Sequence, residues 1–412
     1  MLGRRSFLKV AASAPAVFST LASVRSWSDG SKEKLPVAAV VTKYSNNTHA
    51  DVLLGKILEG FDQQGGAGPD LRLVSLYTDQ VPKDDLSRDL AKKHDFRIAK
   101  TIDEAITLGT DKVQVAGVLS IGEHGDYPFT KDTNQHMYPR RRFFDEIVKA
   151  MRRGGKVVPV FNDKHLSYNW HDAKQVYDTA KELKISMMAG SSLPVTWREP
   201  PLALPMNCEI ESALVIGYGG LEAYGFHALE ALQCMIERRT GGESGVKNVQ
   251  AVQGEEIWTA EQDGRWSRDL FDAALSTTPD VAERDVETQL SKKAAFYLVE
   301  YRDGLKATVA MANGVARHFS FAAKLRGQDE PEATWFRLQD EKPFGHFAYL
   351  LKAIDAMFQT GTPAYPLERT LLTTGVLDTV MHSLAQKNKR LETPELTIHY
   401  RPTDWPFANM QT

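Results

Sequence analysis

Hydrophobic and polar positions along the chain fall into two successive patterns. In the first, short apolar runs alternate with stretches of helical period. Residues 35–42 form an apolar run of strand length. Beyond it, Ala50, Leu53, Leu54, Ile57, Leu58 and Phe61 recur at i, i+3, i+4 and i+7, which predicts an amphipathic helix. Residues 63–68 are a glycine-rich stop, and 71–77 read as a second strand. The alternation predicts helices over 84–93, 102–108 (with Thr101 as N-cap), 141–153 and 173–183. Strands are predicted over 96–99, 113–121, 157–161 and 185–189. Strands alternating with helices predict a Rossmann-like, doubly wound parallel sheet over residues 35–192.

The second pattern begins where Pro194, Pro200, Pro201 and Pro205 interrupt the alternation. Strand signals then dominate, over 208–218, 249–258, 294–301, 305–311, 316–323 and 334–338, with Arg302-Asp303-Gly304 as a hairpin turn. Helices follow over 344–358 and 367–386. Residues 193–400 are thus expected to form an α+β substrate and oligomerisation domain, an open, mainly antiparallel sheet with helices on one face, and 401–412 a tail. An exposed sheet face would favour a homo-oligomer.

The N-terminus reads differently. Arg4-Arg5-Ser6-Phe7-Leu8-Lys9 is a twin-arginine motif, and the Ala- and Ser-rich stretch 10–24 is too short and too mildly apolar to span a bilayer permanently. The expectation is a signal peptide over 1–28, engagement of the twin-arginine export machinery and a periplasmic location. That route carries folded proteins and suits one that acquires a cofactor or metal before export. Net charge is −3, which gives no electrostatic case for nucleic acid or an anionic membrane. The two cysteines, Cys208 and Cys234, could pair in an oxidising compartment, and their spacing leaves this open.

Candidate chemistry concentrates in two turns. Glu123-His124-Gly125-Asp126-Tyr127-Pro128 follows the strand ending at 121, and Asn162-Asp163-Lys164-His165 follows the strand ending at 161. Ligands of open parallel sheets bind beyond the carboxyl ends of strands, so neighbouring tips should open into one crevice. There His124 or Lys164 could exchange a proton with a substrate hydroxyl. The pairs His-x-Asp and Asp-x-His make His124, Asp126, Asp163 and His165 candidate ligands for a divalent metal. His227 lies off the apolar stripe of its predicted helix (Ala228, Leu229, Leu232, Met235, Ile236), which suits a cleft position with Glu222 as an orienting partner. Glu123, Asp126, Tyr127, Asp163, His165, Trp197 and Glu222 are the candidates for substrate contact, with Ser191 and Ser192 at the junction of the two patterns.

Three local features carry a resemblance. Ser120-Ile121-Gly122-Glu123-His124 ends a long strand; Tyr224-Gly225-Phe226-His227-Ala228-Leu229-Glu230 is similar to a Gly-x-His-Ala-x-Asp helix start; and a final helix begins Glu368-Arg369-Thr370-Leu371. With the order of the two patterns, these resemble the glucose–fructose oxidoreductase/inositol dehydrogenase (Gfo/Idh/MocA) family. The resemblance implies oxidoreduction at a secondary alcohol of a small carbohydrate or polyol, with retained NAD or NADP. It also implies that His227 faces the substrate, and that a Glu-Lys-Pro turn falls at Glu123-His124, with histidine in place of lysine. One departure is plain. The family's glycine-rich turn is replaced by Lys43-Tyr44-Ser45-Asn46-Asn47-Thr48-His49. Tyr44, Ser45, Asn46 and Asn47 are then the residues available to a cofactor, with Asp79 where a ribose would be held. This departure keeps two alternatives open: a metal-dependent or cofactor-free lyase or epimerase on the same fold, and a non-catalytic periplasmic carbohydrate-binding protein.

Overall fold

The computed structural model describes residues 33–280 and 285–411. The twin-arginine motif and the expected signal peptide lie outside them. Among the described residues no helix is long and apolar enough to cross a membrane. The first half runs β1 (Leu35–Val41), α1 (His49–Glu59), β2 (Leu71–Thr78), α2 (Ser87–His94), β3 (Arg97–Ala99), α3 (Ile102–Thr107), β4 (Gly117–Ile121), α4 (Arg140–Gly154), β5 (Val160–Asp163), α5 (Trp170–Glu182) and β6 (Met187–Gly190). The second half runs β7 (Trp197–Glu199), β8 (Ile210–Gly217), α6 (Ala223–Ile236), β9 (Val246–Gln253), α7 (Glu255–Gln262), α8 (Arg268–Ser276), α9 (Val286–Lys293), β10 (Ala295–Tyr301), β11 (Lys306–Met311), β12 (Phe319–Leu325), β13 (Glu332–Arg337), α10 (Gly345–Thr360), α11 (Leu367–Ala385) and β14 (Leu391–Glu392).

The first sheet has the order β3-β2-β1-β4-β5-β6, with every pairing parallel. This is the expected doubly wound sheet, its order reversing at β1. Thr101 caps α3 as predicted, its side chain accepting from the Glu104 N–H. The strand expected over 157–161 is displaced toward its C-terminus. Val157 is exposed and Pro159 precedes the strand, so Asn162 and Asp163 join β5 and Lys164 becomes the first residue beyond it.

The second sheet has the order β14-β9-β10-β11-β8-β12-β13-β7 and is antiparallel except for β11 against β8. Helices cover both of its faces, not one. Ala213 and Val215 of β8 join the core shared with α6 and α11, while Leu214 and Ile216 pack with Ile257, Leu270, Phe271 and Leu290 of α7, α8 and α9. A strand buried on both faces reads as an unbroken apolar run, and that is how Ala213-Leu214-Val215-Ile216 reads. The exposed face on which the homo-oligomer expectation rested is therefore covered. The strand expected over 249–258 ends at Gln253. Gly254, at φ 60°, turns the chain into α7, and Trp258 is helical. Helix α10 packs on the first sheet rather than the second, placing Leu350, Leu351, Ile354, Met357 and Phe358 in one core with Val37, Leu53, Leu119 and Phe161.

Candidate active site

Five elements converge beyond the carboxyl ends of the parallel strands. β4 delivers Glu123 and His124, β5 delivers Lys164, and β6 delivers Ser191; α1 begins at His49, and α6 brings His227 across from the second sheet. Neighbouring β4 and β5 open into one crevice, as the sequence predicts. A cavity of about 200 Å³ is lined by His49, Glu123, His124, Lys164, His227 and His346, with Tyr218, Tyr224 and Phe319 opposite. A second, of about 420 Å³, shares Glu123 and Lys164 and adds Phe129, His136, Tyr138, His165 and Glu222.

At their common wall the Lys164 amine meets His227 Nε2. The same amine lies 3.7 Å from Glu123 Oε1, and His227 Nδ1 is 2.6 Å from Ser191 Oγ. A lysine ammonium can only donate, so Nε2 accepts and the imidazole proton sits on Nδ1, directed at Ser191. Burial, with Lys164 beside it, holds His227 well below the usual histidine range, so the ring is neutral at neutral pH. Burial alone would push the Glu123 carboxyl up. Lys164 and Arg140 more than offset this and hold it well below its usual range, with Arg140 donating to Oε2 at 2.5 Å.

His124 is lowered to about 4 by burial and by His49, and its buried Nε2 has no hydrogen-bond partner among the described residues. Its ring lies 5.3 Å from that of His49, whose Nδ1 is 2.7 Å from Asp163 Oδ2. Asp163 thus orients His49. Burial, then His49 and Lys56, lowers His346 to about 3. His165 lines the larger cavity, 3.2 Å from Arg140 and 3.7 Å from Glu222, whose other oxygen accepts from the His136 N–H.

The lysine of the site corrects the sequence expectation. The resemblance implies a Glu-Lys-Pro-like turn at Glu123-His124, but the lysine that reaches His227 is Lys164, so the acid–lysine pair is Asp163-Lys164 on the next strand. Three substrate candidates stand elsewhere. Asp126 is exposed, Tyr127 binds Asp79, and Trp197 packs edge-on against Tyr349 at the rim of the second sheet. The metal candidates do not gather: Asp126 is at the surface, Asp163 is held by His49, and His165 faces the Arg140 cation. Among the described residues no three His, Cys, Asp or Glu side chains form a group that could hold a metal ion. His49 and His346 were missed. His49 was findable, because it opens the helix after β1 and β1 neighbours β4; His346 carries no such signal.

The residues offered to a dinucleotide do not fit one. The Tyr44 side chain is fully buried in the core beneath the turn, and Ser45 is buried too. Asn46 and Asn47 are exposed, and the Asn47 N–H is taken by Asp51. Thr42, the last residue of the first apolar run, donates to the Glu123 carbonyl at 2.5 Å. Asp79 has both oxygens occupied: Oδ1 by Tyr77 (2.8 Å) and Arg142 (2.6 Å), Oδ2 by Tyr127 (2.7 Å). The Gln80 amide is bound on both sides to the Asp126 backbone, at 2.8 and 2.9 Å.

No protein-family model and no curated protein sequence matches this chain. Solved structures do. GenD2 from gentamicin A biosynthesis, in complex with NAD, aligns at 15% identity over 87% of this chain and 96% of its own, with TM-score 0.56. Apo scyllo-inositol dehydrogenase from Lactobacillus casei aligns at 10% identity over 87% and 98%, with TM-score 0.54. A probable dehydrogenase from Thermotoga maritima aligns at 13% identity over 88% and 100%, with TM-score 0.53. The likeness is one of fold, and the fold of this chain is that of the Gfo/Idh/MocA-type dehydrogenases.

Proposed function

We propose that this chain is an enzyme of the sugar-oxidoreductase type that acts at a secondary-alcohol carbon of a carbohydrate or polyol. The fold and its dehydrogenase neighbours support the class. The observation that carries the reading is the contact of the Lys164 amine with a neutral His227 at the wall shared by two cavities. Lys164 donates to a substrate oxygen, and His227, backed by Ser191, takes or returns the proton. Phe129, His136 and Tyr138 form a continuous aromatic stack, with ring centroids 4.2 and 3.9 Å apart, which offers apolar faces to a sugar ring. Glu123 is matched by Arg140 and faced by Lys164, while Glu222 and Asp340 add carboxylates to the walls of the two cavities.

The test is turnover across a panel of sugars and polyols by the wild type, Lys164→Met and His227→Asn. Loss of proton transfer should lower kcat/KM by about 10²-fold or more in each variant, with urea unfolding showing that the fold persists. Variants as active as the wild type would end the reading.

A further inference from the structure

In a sheet ordered β2-β1-β4, a loop that leaves β4 and binds the tip of β2 must cross the tip of β1. The segment after β4 does so: Tyr127 binds Asp79, and the Asp126 backbone binds Gln80, both just past β2. A dinucleotide on this fold lays its diphosphate over the same tip, against the N-terminus of the following helix, and its ribose at the acid beyond β2. Here the path carries the chain itself. Tyr hydroxyls and the Arg142 guanidinium occupy the oxygens of Asp79 that would receive a ribose, and Thr42 closes the turn against Glu123. The helix that would face a diphosphate instead opens with His49, which already has a carboxylate partner in Asp163.

We infer that this site works without a dinucleotide, and that its reaction is proton transfer at a carbon next to a carbonyl of a keto sugar, with no net change in oxidation level. The inference rests on the proposed function for its substrate class and for the Lys164–His227 pair, and it replaces oxidoreduction as the reaction that the pair serves. The C–H bond beside the carbonyl breaks, and its electron pair moves onto the carbonyl oxygen to form an enediolate. Lys164 donates to that oxygen. The proton goes to His49, whose Nδ1 is held by Asp163, so that its other nitrogen is left to accept. Return of the proton from His49 to the neighbouring carbon on the same face, with His227 moving the hydroxyl proton, gives the aldose–ketose isomer. Atoms and electrons balance with no co-reactant. His124, 5.3 Å from His49 and with a buried, unpartnered Nε2, is a second neutral imidazole in the same cavity.

The experiment uses the purified full-length protein with D-fructose and 3-keto-D-glucose in deuterium oxide, and parallel calorimetric titrations with NAD⁺ and NADP⁺. The expected result is deuterium at the carbon beside the carbonyl of at least one sugar, on the order of 10²-fold above buffer and lost in His49→Asn, with no heat from either dinucleotide at millimolar concentration. No exchange with either sugar, tight binding of NAD⁺ or NADP⁺, or a nicotinamide that co-purifies would overturn the inference. Sugar-dependent reduction of NAD⁺ that Lys164→Met abolishes would overturn it while leaving the proposed function standing. Activity untouched by Lys164→Met would remove both.

Discussion

His124 and Lys164 sit at the tips of adjacent strands with φ values of 69° and 70°, in the left-handed region that residues with a Cβ rarely occupy. Each such residue costs of order 1 kcal/mol or more and persists where the surroundings hold it. Here the strain turns both side chains into one cavity. Asn tolerates this conformation better than His, and at position 124 it would remove a buried ring nitrogen that has no partner. His124→Asn is therefore expected to raise stability by about 1 kcal/mol at neutral pH, measured by urea unfolding. A destabilised variant would mean that the imidazole makes a contact worth more than its strain. The lysine–histidine contact was legible in part. Lys164 and His227 each stood out by pattern, yet 63 residues separate them, and no local signal could pair them.

The helix α6 carries His227, and two buried carboxylates fix it. Glu230 accepts from Thr373 Oγ at 2.7 Å and lies 3.4 Å from the Ser191 N–H, tying α6 to α11 and to the serine that supports His227. Glu237, just past the end of α6, accepts from Arg369 of α11 at 2.9 Å and from Tyr400 at 2.8 Å. Arg369 is nearly fully buried, so its removal strands a carboxylate in the interior. Arg369→Ala should destabilise the protein by about 3–5 kcal/mol, read from the urea midpoint. A loss below about 1 kcal/mol would show that water reaches Glu237. Element types were largely legible because period 2 and period 3.6 follow from backbone geometry. Helices α8 and α9 were passed over: their apolar faces are narrow, and only packing on Leu214, Ile216 and Phe296 reveals them.

The whole molecule gathers several imidazoles in their neutral form, and its stability should follow pH accordingly. His124 is lowered to about 4, His346 to about 3 and His227 well below the usual range, each chiefly by burial. In the unfolded chain histidines titrate near 6.5, so below that pH the unfolded state binds more protons than the folded one. This contribution is complete above about pH 6.5 and is lost as pH falls toward about 4, on the order of 3 kcal/mol for His124 alone. Glu123, held low by Lys164 and Arg140 against its burial, acts in the same direction at lower pH; Glu230, raised by burial, opposes it. Urea midpoints at about pH 7 and about pH 4.5 measure the sum, and equal midpoints would mean that these rings open to solvent before they protonate.

The sequence by itself determined the alternating parallel half, the strand-rich half after the prolines, and the two turns that carry ionisable groups, because hydrophobic period and turn composition are local properties of the chain. The missing glycines after β1 were equally plain. Only the tertiary structure decided that Lys164 serves His227, that Asp163 belongs to His49, that α10 leaves the second sheet for the first, and that Tyr127 reaches Asp79 across the tip of β1. Those are contacts between residues far apart in sequence. They depend on which strands lie side by side and how loops cross them, and no period along the chain records that.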